Sequence, residues 1–321
     1  MQFPGNARPS YWRSRLNGLI AGCLLFMPAI DNSTTYAVGA NKDYKMLSEV
    51  VPKLKSGDKV TIDPGEYFDC ALIRVDDVTI EGLGPNGSSI LTDKACAGKG
   101  ILVISGARVT VRNLTLTRAR VPDANGAGIR DESPDLTVEQ VKFINNQNGI
   151  LATPAGTSAV LIVRDSEFTK NGGCAPGCAH GIYTGRLQLL RIERSKFTDT
   201  NQAHHIKSRS LRTEVTDTTI SDGTEGTASY EIEIPIGGDV LVRGNNILKG
   251  PKAENHTGAI MIGNEGVTQP THEILIENNV FKNTGGYNTY FVVNFTATEA
   301  ILRGNKLSGS VQPLKGDGKV Q

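Results

Sequence analysis

The sequence predicts an all-β fold: a single-stranded right-handed parallel β-helix, closed at its start by a short helix. Three observations predict it. A pattern of alternating apolar and polar residues, ending on an apolar anchor, recurs along the chain. Its internal period is two, as in a strand, and not the 3.6 of a helix. Successive copies end 27, 25, 29, 23, 27, 34 and 26 residues apart, too short for a propeller blade of roughly 40 residues. Composition agrees, with 36 glycines and only 6% aromatic residues, which suits short strands and many turns.

The chain opens with Arg8, Arg13 and Arg15 ahead of an uncharged apolar run from Leu16 to Ile30. That run is too short to span a bilayer comfortably and reads as the core of a signal peptide. Thr35-Tyr36-Ala37 is a small-x-small site, so residues 1–37 are expected to be removed on export to the periplasm or beyond. Ile20-Ala21-Gly22-Cys23 also resembles a lipobox, although the apolar run continues past Cys23 where a lipoprotein signal would end. Residues 38–57 are expected to cap the solenoid. Met46, Leu47, Val50, Val51 and Leu54 form the apolar side of a helix over 44–54 that would cover the open strand edge. The coils proper are expected over 58–310, with a tail at 311–321.

Val60–Ile62, Val78–Ile80 and Ile101–Ile104 begin the stack. The main copies follow as Val109–Leu116, Leu136–Phe143, Leu161–Phe168, Leu190–Phe197, Val240–Ile247, Ile274–Phe281 and Ala300–Leu307, with a degenerate copy ending at Ile220. Coils stacked at about 4.8 Å place their anchors in inward columns, and asparagines at the bends are expected to bond in ladders. Cys70 and Cys96 lie one repeat apart and would bridge neighbouring coils. Cys174 and Cys178 would staple one loop, in keeping with an even cysteine count in an oxidising compartment. A metal site from Cys174, Cys178 and His180 is the rival reading, and it lacks a fourth ligand.

Lys and Arg total 34 against 33 Asp and Glu, a net charge of +1. No basic field exists to hold nucleic acid. An anionic partner would need a local basic cluster. Nothing after the leader is apolar enough to span a membrane, and a monomer is expected.

A second strand appears once per coil, aligned on Ile129, Ile150, Ile182, Ile206, Ile232, Ile260 and Phe291. With this column inward, the flanking positions point outward. On the middle coils they bring Tyr183, His205, Lys207, Arg209, Glu231 and Glu233 to one face, while flanking coils carry mainly Gly, Leu, Ala, Met and Val. Arg130 and Asn294 extend that face. His180 and His204 have the parity of inward, structural positions. The bland alternative is a solvated charged face with a Lys207–Glu233 cross-strand pair.

Such a cluster suits acid–base chemistry on a uronic-acid polymer. A cation must neutralise the carboxylate at C5, a base must take the C5 proton, and an acid must protonate the leaving oxygen. Arg209 offers a planar fork for the carboxylate, His205 or Lys207 the base, and Tyr183 the acid, with Glu233 orienting its neighbours. Return of the proton from the opposite face would make the reaction a C5-epimerisation. Glu231, Glu233, His180, His204, Arg130 and Asn294 are expected to bind substrate. A hydrolase using Glu231 and Glu233, separated by about 6.6 Å, and a non-catalytic binding or scaffold protein of the envelope are the other classes.

The repeat over 58–310 resembles the pectate-lyase-like superfamily of right-handed β-helices. Asn125-Gly-Ala-Gly-Ile129, Cys178-Ala-His-Gly-Ile182, His204-His-Ile-Lys-Ser-Arg209 and Gly258-Ala-Ile-Met-Ile-Gly263 resemble runs in bacterial exported β-helix proteins. The resemblance implies a carbohydrate-active protein: lyase, uronate epimerase, hydrolase or tailspike. Glu231-x-Glu233 is similar to the calcium-binding Glu-x-Glu of chondroitinase B and alginate lyases, which implies calcium at Glu231 and Glu233. Here the basic residue Lys207 precedes the pair on the previous coil, a departure from that arrangement. The Asp-Pro-His motif of periplasmic mannuronan epimerases is missing.

Overall fold

A computed structural model describes residues 33–321. The leader expected at the start, with Cys23, lies outside the described residues apart from its last few positions. Three all-parallel sheets of 12, 10 and 10 strands run along a right-handed β-helix, and each coil contributes one strand to each sheet in turn. The expected repeat is visible in the register of the third sheet. Leu116, Phe143, Phe168, Phe197, Ile220, Ile247, Phe281 and Leu307 lie one above another. The first sheet stacks Val109, Leu136, Leu161 and Leu190 in the same way. Backbone groups are satisfied between coils and apolar side chains fill the interior, so each coil is stable only against its neighbours.

At the bend between first and third sheets, a chain of side-chain acceptors climbs the helix axis. Ser166, Ser195, Thr218, Asn245, Asn279 and Asn305 each accept a backbone N–H from the coil before. Asn146 and Asn171 form a second ladder at the other end of the third-sheet strands.

The solenoid is longer than the 58–310 expected. Thr35–Val38 pairs with Lys59–Ile62. At the other end, Val311–Lys315 and Gly318–Val320 add strands where a tail was expected. The cap is shorter than the 44–54 helix. Leu47–Val50 makes one α-turn and Val51–Lys53 a 3-10 turn, because Pro52 lacks the donor and crowds the carbonyl four residues back. Leu47, Val50 and Leu54 still bury their side chains against the core. Both disulfides form as expected: Cys70–Cys96 joins successive coils, and Cys174–Cys178 closes a two-strand hairpin. Among the described residues no helix is long and apolar enough to cross a membrane.

The second-sheet column stacks Ile129, Ile150, Ile182, Ile206, Ile232 and Ile260 as expected. Its next member is Val292, not Phe291. These strands begin with two consecutive inward residues, so an apolar pair fits two registers. Phe291 fills the first of the two positions and stacks on Phe281 at 5.1 Å.

In three coils that first position is Gly128, Gly149 or Gly181, facing Phe143, Phe168 or Phe197. A Cβ on Gly149 would sit 2.5 Å from the Gly181 carbonyl oxygen and 2.7 Å from the Phe168 ring. The three rings stack at 4.6 and 4.4 Å. Phe168→Ala is expected to destabilise the protein by about 3–5 kcal/mol, since the rigid stack cannot close the void. Chemical denaturation measures it, and a loss below about 1 kcal/mol would mean that the stack does not hold these coils.

Candidate functional site

The outward side chains next to the isoleucine column are Arg130, Leu151, Tyr183, Lys207, Glu233 and Met261. Lys207 Nζ lies 2.7 Å from Glu233 and 2.7 Å from Glu265. Arg209 also holds Glu265. Both cations lie by the Tyr183 ring, at 5.9 Å for Lys207 and 5.5 Å for Arg209. The Tyr183 hydroxyl makes no protein hydrogen bond among the described residues.

His180, His204 and Tyr230 form a second outward column, with His180–His204 and His204–Tyr230 ring separations of 5.0 and 5.1 Å. Both histidines were expected inward. Because the strand turns two consecutive residues inward after them, their parity reverses and they line the cleft. The His180 Nδ1 accepts the His204 N–H, and the His204 Nδ1 accepts the Tyr230 N–H, both at 3.3 Å. Each imidazole proton therefore sits on Nε2. The His204 Nε2 lies 3.0 Å from the Glu233 carboxylate, and Asn264 donates to its other oxygen at 2.7 Å. Burial pushes the Glu233 carboxyl up, but the bonds from His204 and Asn264 and the charge of Lys207 outweigh it and hold it well below the usual range. Burial, then the Lys207 charge, pushes His180 well below the ordinary imidazole value.

A cleft of about 320 Å³ opens here, lined by His180, Tyr183, His204 and Lys207 and walled by the Cys174–Cys178 hairpin and Glu254. Another cleft, of about 340 Å³, lies among Asn86, Asn113, Gln140, Lys142, Asp165 and Glu167. It holds turn residues and a loose Lys142–Glu167 pair at 3.9 Å.

Three expected site residues fall elsewhere. His205 and Glu231 occupy the first inward position and are fully buried. His205 is held between Thr200 at 2.7 Å and Asp222 at 3.0 Å, so it is not a surface base. Glu231 meets Lys249 inside the coil at 3.4 Å. It is engaged on the opposite side of the strand from Glu233, so the two carboxylates neither flank one bond nor converge on one calcium. Asn294 aligns with Ile262, one position from its expected place. It is buried, donating to the Thr298 and Asp317 carbonyls and accepting from Thr296, which makes it a turn residue. Arg130 does share the outward column, about 10 Å from Tyr183 with Leu151 between, and leans on Glu132 at 3.5 Å.

The inner network depends on a change at one turn. Arg118, Asn145, Lys170 and Asp199 occupy the second position after the third-sheet anchor with φ between 52° and 62°. In the next two coils Asp222 and Lys249 hold that position, lack the positive φ and are buried. There the anchor is isoleucine, not phenylalanine, which leaves volume for His205 and Glu231. Burial pushes Glu231 well above the carboxylate range although Lys249 opposes it. Burial raises Asp222 as well, but the His205 bond and charge prevail and lower it. Sequence reading missed Asp222, Lys249, Asn264 and Glu265. The departure of Ile220 and Ile247 from the phenylalanine pattern was the available signal for the first two, and the paired glycines around Asn264-Glu265 for the others.

A family described as right handed beta helix region matches residues 157–318, half of the chain. The chain belongs to that family. Its fold is similar to an alginate lyase from Paenibacillus sp., with 17% identity and a TM-score of 0.60 over 89% of this chain and 99% of that one. It is also similar to a pectate lyase, with 12% identity and a TM-score of 0.55 over 89% and 78%. These likenesses make the fold a right-handed parallel β-helix of the pectate-lyase-like type. No curated protein matches the chain in sequence.

Two outcomes follow from the buried groups. Lys249→Met should cost about 3–5 kcal/mol by stranding Glu231, and Lys249→Met with Glu231→Leu should recover most of it. A double variant as unstable as the single one would break this account. His180 acts through its neutral form, and the unfolded chain takes up a proton near 6.5. Its stabilisation is therefore complete above that pH and is lost as pH falls below it. Urea unfolding across this range should show a smaller pH slope for His180→Asn than for wild type.

Proposed function

We propose that the face built by Tyr183, His204, Lys207, Arg209 and Glu233 is the active site of a polysaccharide lyase or C5-epimerase for a uronic-acid polymer. The carrying observation is a tyrosine hydroxyl without a partner among the described residues, set beside two cations and a histidine whose tautomer the Tyr230 N–H fixes. A sugar carboxylate drawn to Lys207 and Arg209 loses negative charge at C5, and the C5–H becomes more acidic. The same cations stabilise the enolate that forms as the proton leaves. His204, carrying its proton on Nε2, is a donor and not a base. That leaves Tyr183, which as the phenolate takes the C5 proton and as the resulting phenol passes that proton to the leaving C4 oxygen. The base role first expected of His205 thus passes to the outer face, while His205 holds the coil from inside.

Elimination follows when the C4–oxygen bond breaks and the leaving oxygen is protonated. Epimerisation follows when water on the other face reprotonates C5 and the hydroxide formed takes the proton back from Tyr183. Arg130, one column position further along, fits a neighbouring sugar carboxylate. His180 supports His204 by stacking and by accepting its N–H. The likeness to an alginate lyase and a pectate lyase supports the substrate class, and the two disulfides agree with an exported protein.

Ultraviolet absorbance of the C4–C5 double bond, measured over alginate, pectate and glycosaminoglycan substrates, tests the reading. Wild type is expected to generate it on one uronate polymer, or to invert C5 without it. Arg209→Ala should lose about 10²–10³-fold in rate, the usual worth of a preorganised charge. Tyr183→Phe should lose at least about 10²-fold with KM nearly unchanged. Wild-type turnover in a folded Tyr183→Phe, Arg209→Ala double variant would place the chemistry elsewhere on the solenoid.

A further inference from the structure

The turn after the Gly258–Ile262 strand reads Gly263-Asn264-Glu265-Gly266. It lies directly on the site. The Glu265 carboxylate bridges the two cations, one oxygen 2.7 Å from Lys207 Nζ and the other on Arg209 Nη2. The adjacent Asn264 donates to Glu233. With Glu265 in place, two cations face two carboxylates and the site is neutral, so a polyanion meets no attractive charge.

Glu265 also fills its place incompletely. It takes one nitrogen of the Arg209 fork, and the other, Nη1, is buried without a partner among the described residues; so is the Asn264 amide oxygen. A buried guanidinium nitrogen without an acceptor is costly, and a planar carboxylate meeting both nitrogens would satisfy it. Glycines bound the turn on both sides. Gly263 and Gly266 have φ of +78° and +95°, a region glycine enters without strain. Three backbone bonds hold it, from the Gly263, Glu265 and Gly266 N–H groups to the Ile234, Pro235 and Gly263 carbonyls. Beyond it Gln269 anchors the chain to the Arg209, Ser210 and Gly237 carbonyls, so the segment between is a short flap with a fixed far end.

We propose that Glu265 is an internal stand-in for the substrate carboxylate, held on Lys207 and Arg209 until a uronate displaces it and the turn swings away. The inference rests on the uronate reading above and adds what controls access to the site. It makes Glu265 a selectivity residue. A neutral or esterified sugar offers nothing to exchange for the carboxylate it would expel, whereas a uronate replaces one carboxylate with another and can also engage Nη1. The bound population of Glu265 lowers the apparent affinity for uronates by the fraction of time the cations are free.

The test is calorimetric titration of wild type, Glu265→Gln and Glu265→Ala with trimers of mannuronate, guluronate and galacturonate, and with methyl-esterified galacturonate trimer, at low salt. Both variants should bind the preferred uronate trimer about tenfold more tightly than wild type, and the ester with unchanged affinity. Glu265→Gln keeps the side-chain shape and carries the test if Glu265→Ala unfolds. Equal or weaker uronate binding by folded Glu265→Gln overturns the proposal; if wild type still turns over uronate polymer, the functional reading survives alone. If none of the proteins binds any uronate trimer, both fall together.

Discussion

A parallel coil can satisfy its backbone N–H and C=O groups only against the coil above and the coil below, and this constraint places every strand side chain of the site. It forces like strands into register, so an inward residue sits under an inward residue and an outward one under an outward one. Ile182, Ile206, Ile232 and Ile260 stack because of it. Tyr183, Lys207 and Glu233 meet for the same reason, although 24 and 26 residues separate them along the chain. The site needs no special scaffold of its own, since the register that builds the core also delivers three functional groups at one spot.

The interior must then absorb what the site displaces. Where glycine opens the second-sheet strand, phenylalanine fills the third. Where His205 and Glu231 open it, isoleucine stands in the third, and Asp222 and Lys249 turn inward to pair with them. Polar groups thus lie on both sides of the same strands: an outer set lining the cleft and paired with Glu265 and Asn264, and an inner set engaged with itself. The buried pairs are weak evidence for stability in themselves, because desolvation offsets much of their attraction. Their position directly behind His204 and Glu233 ties the rigidity of the site to the interior.

The fold was legible because strand periodicity and repeat spacing are local properties of sequence. The disulfide between coils was legible because Cys70 and Cys96 lie one repeat apart. Half of the candidate site was legible for the same reason: Tyr183, Lys207, Arg209 and Glu233 follow from the isoleucine column by simple alternation. The rest failed at one point. Simple alternation does not anticipate two consecutive inward residues, so His204 and His205 exchanged faces, as did Glu231, and Phe291 was taken for Val292. Asn294 went with that slip. Glu265 was missed for a different reason: it reaches the site from a loop 58 residues away from Lys207, where no period applies and the flanking glycines mark a turn but not its target.

What the outer face does follows from whether a proton leaves C5 there. Incubating uronate oligomers with the protein in deuterium oxide, and reading the sugar by mass spectrometry and proton resonance, tests this most directly. The account predicts deuterium at C5 of recovered or inverted sugar, or loss of the C5 proton into an unsaturated product, with Tyr183→Phe abolishing either. Oligomers that bind in the cleft yet return with every C5 proton in place would contradict it, and would make this face a binding surface instead of a catalytic one.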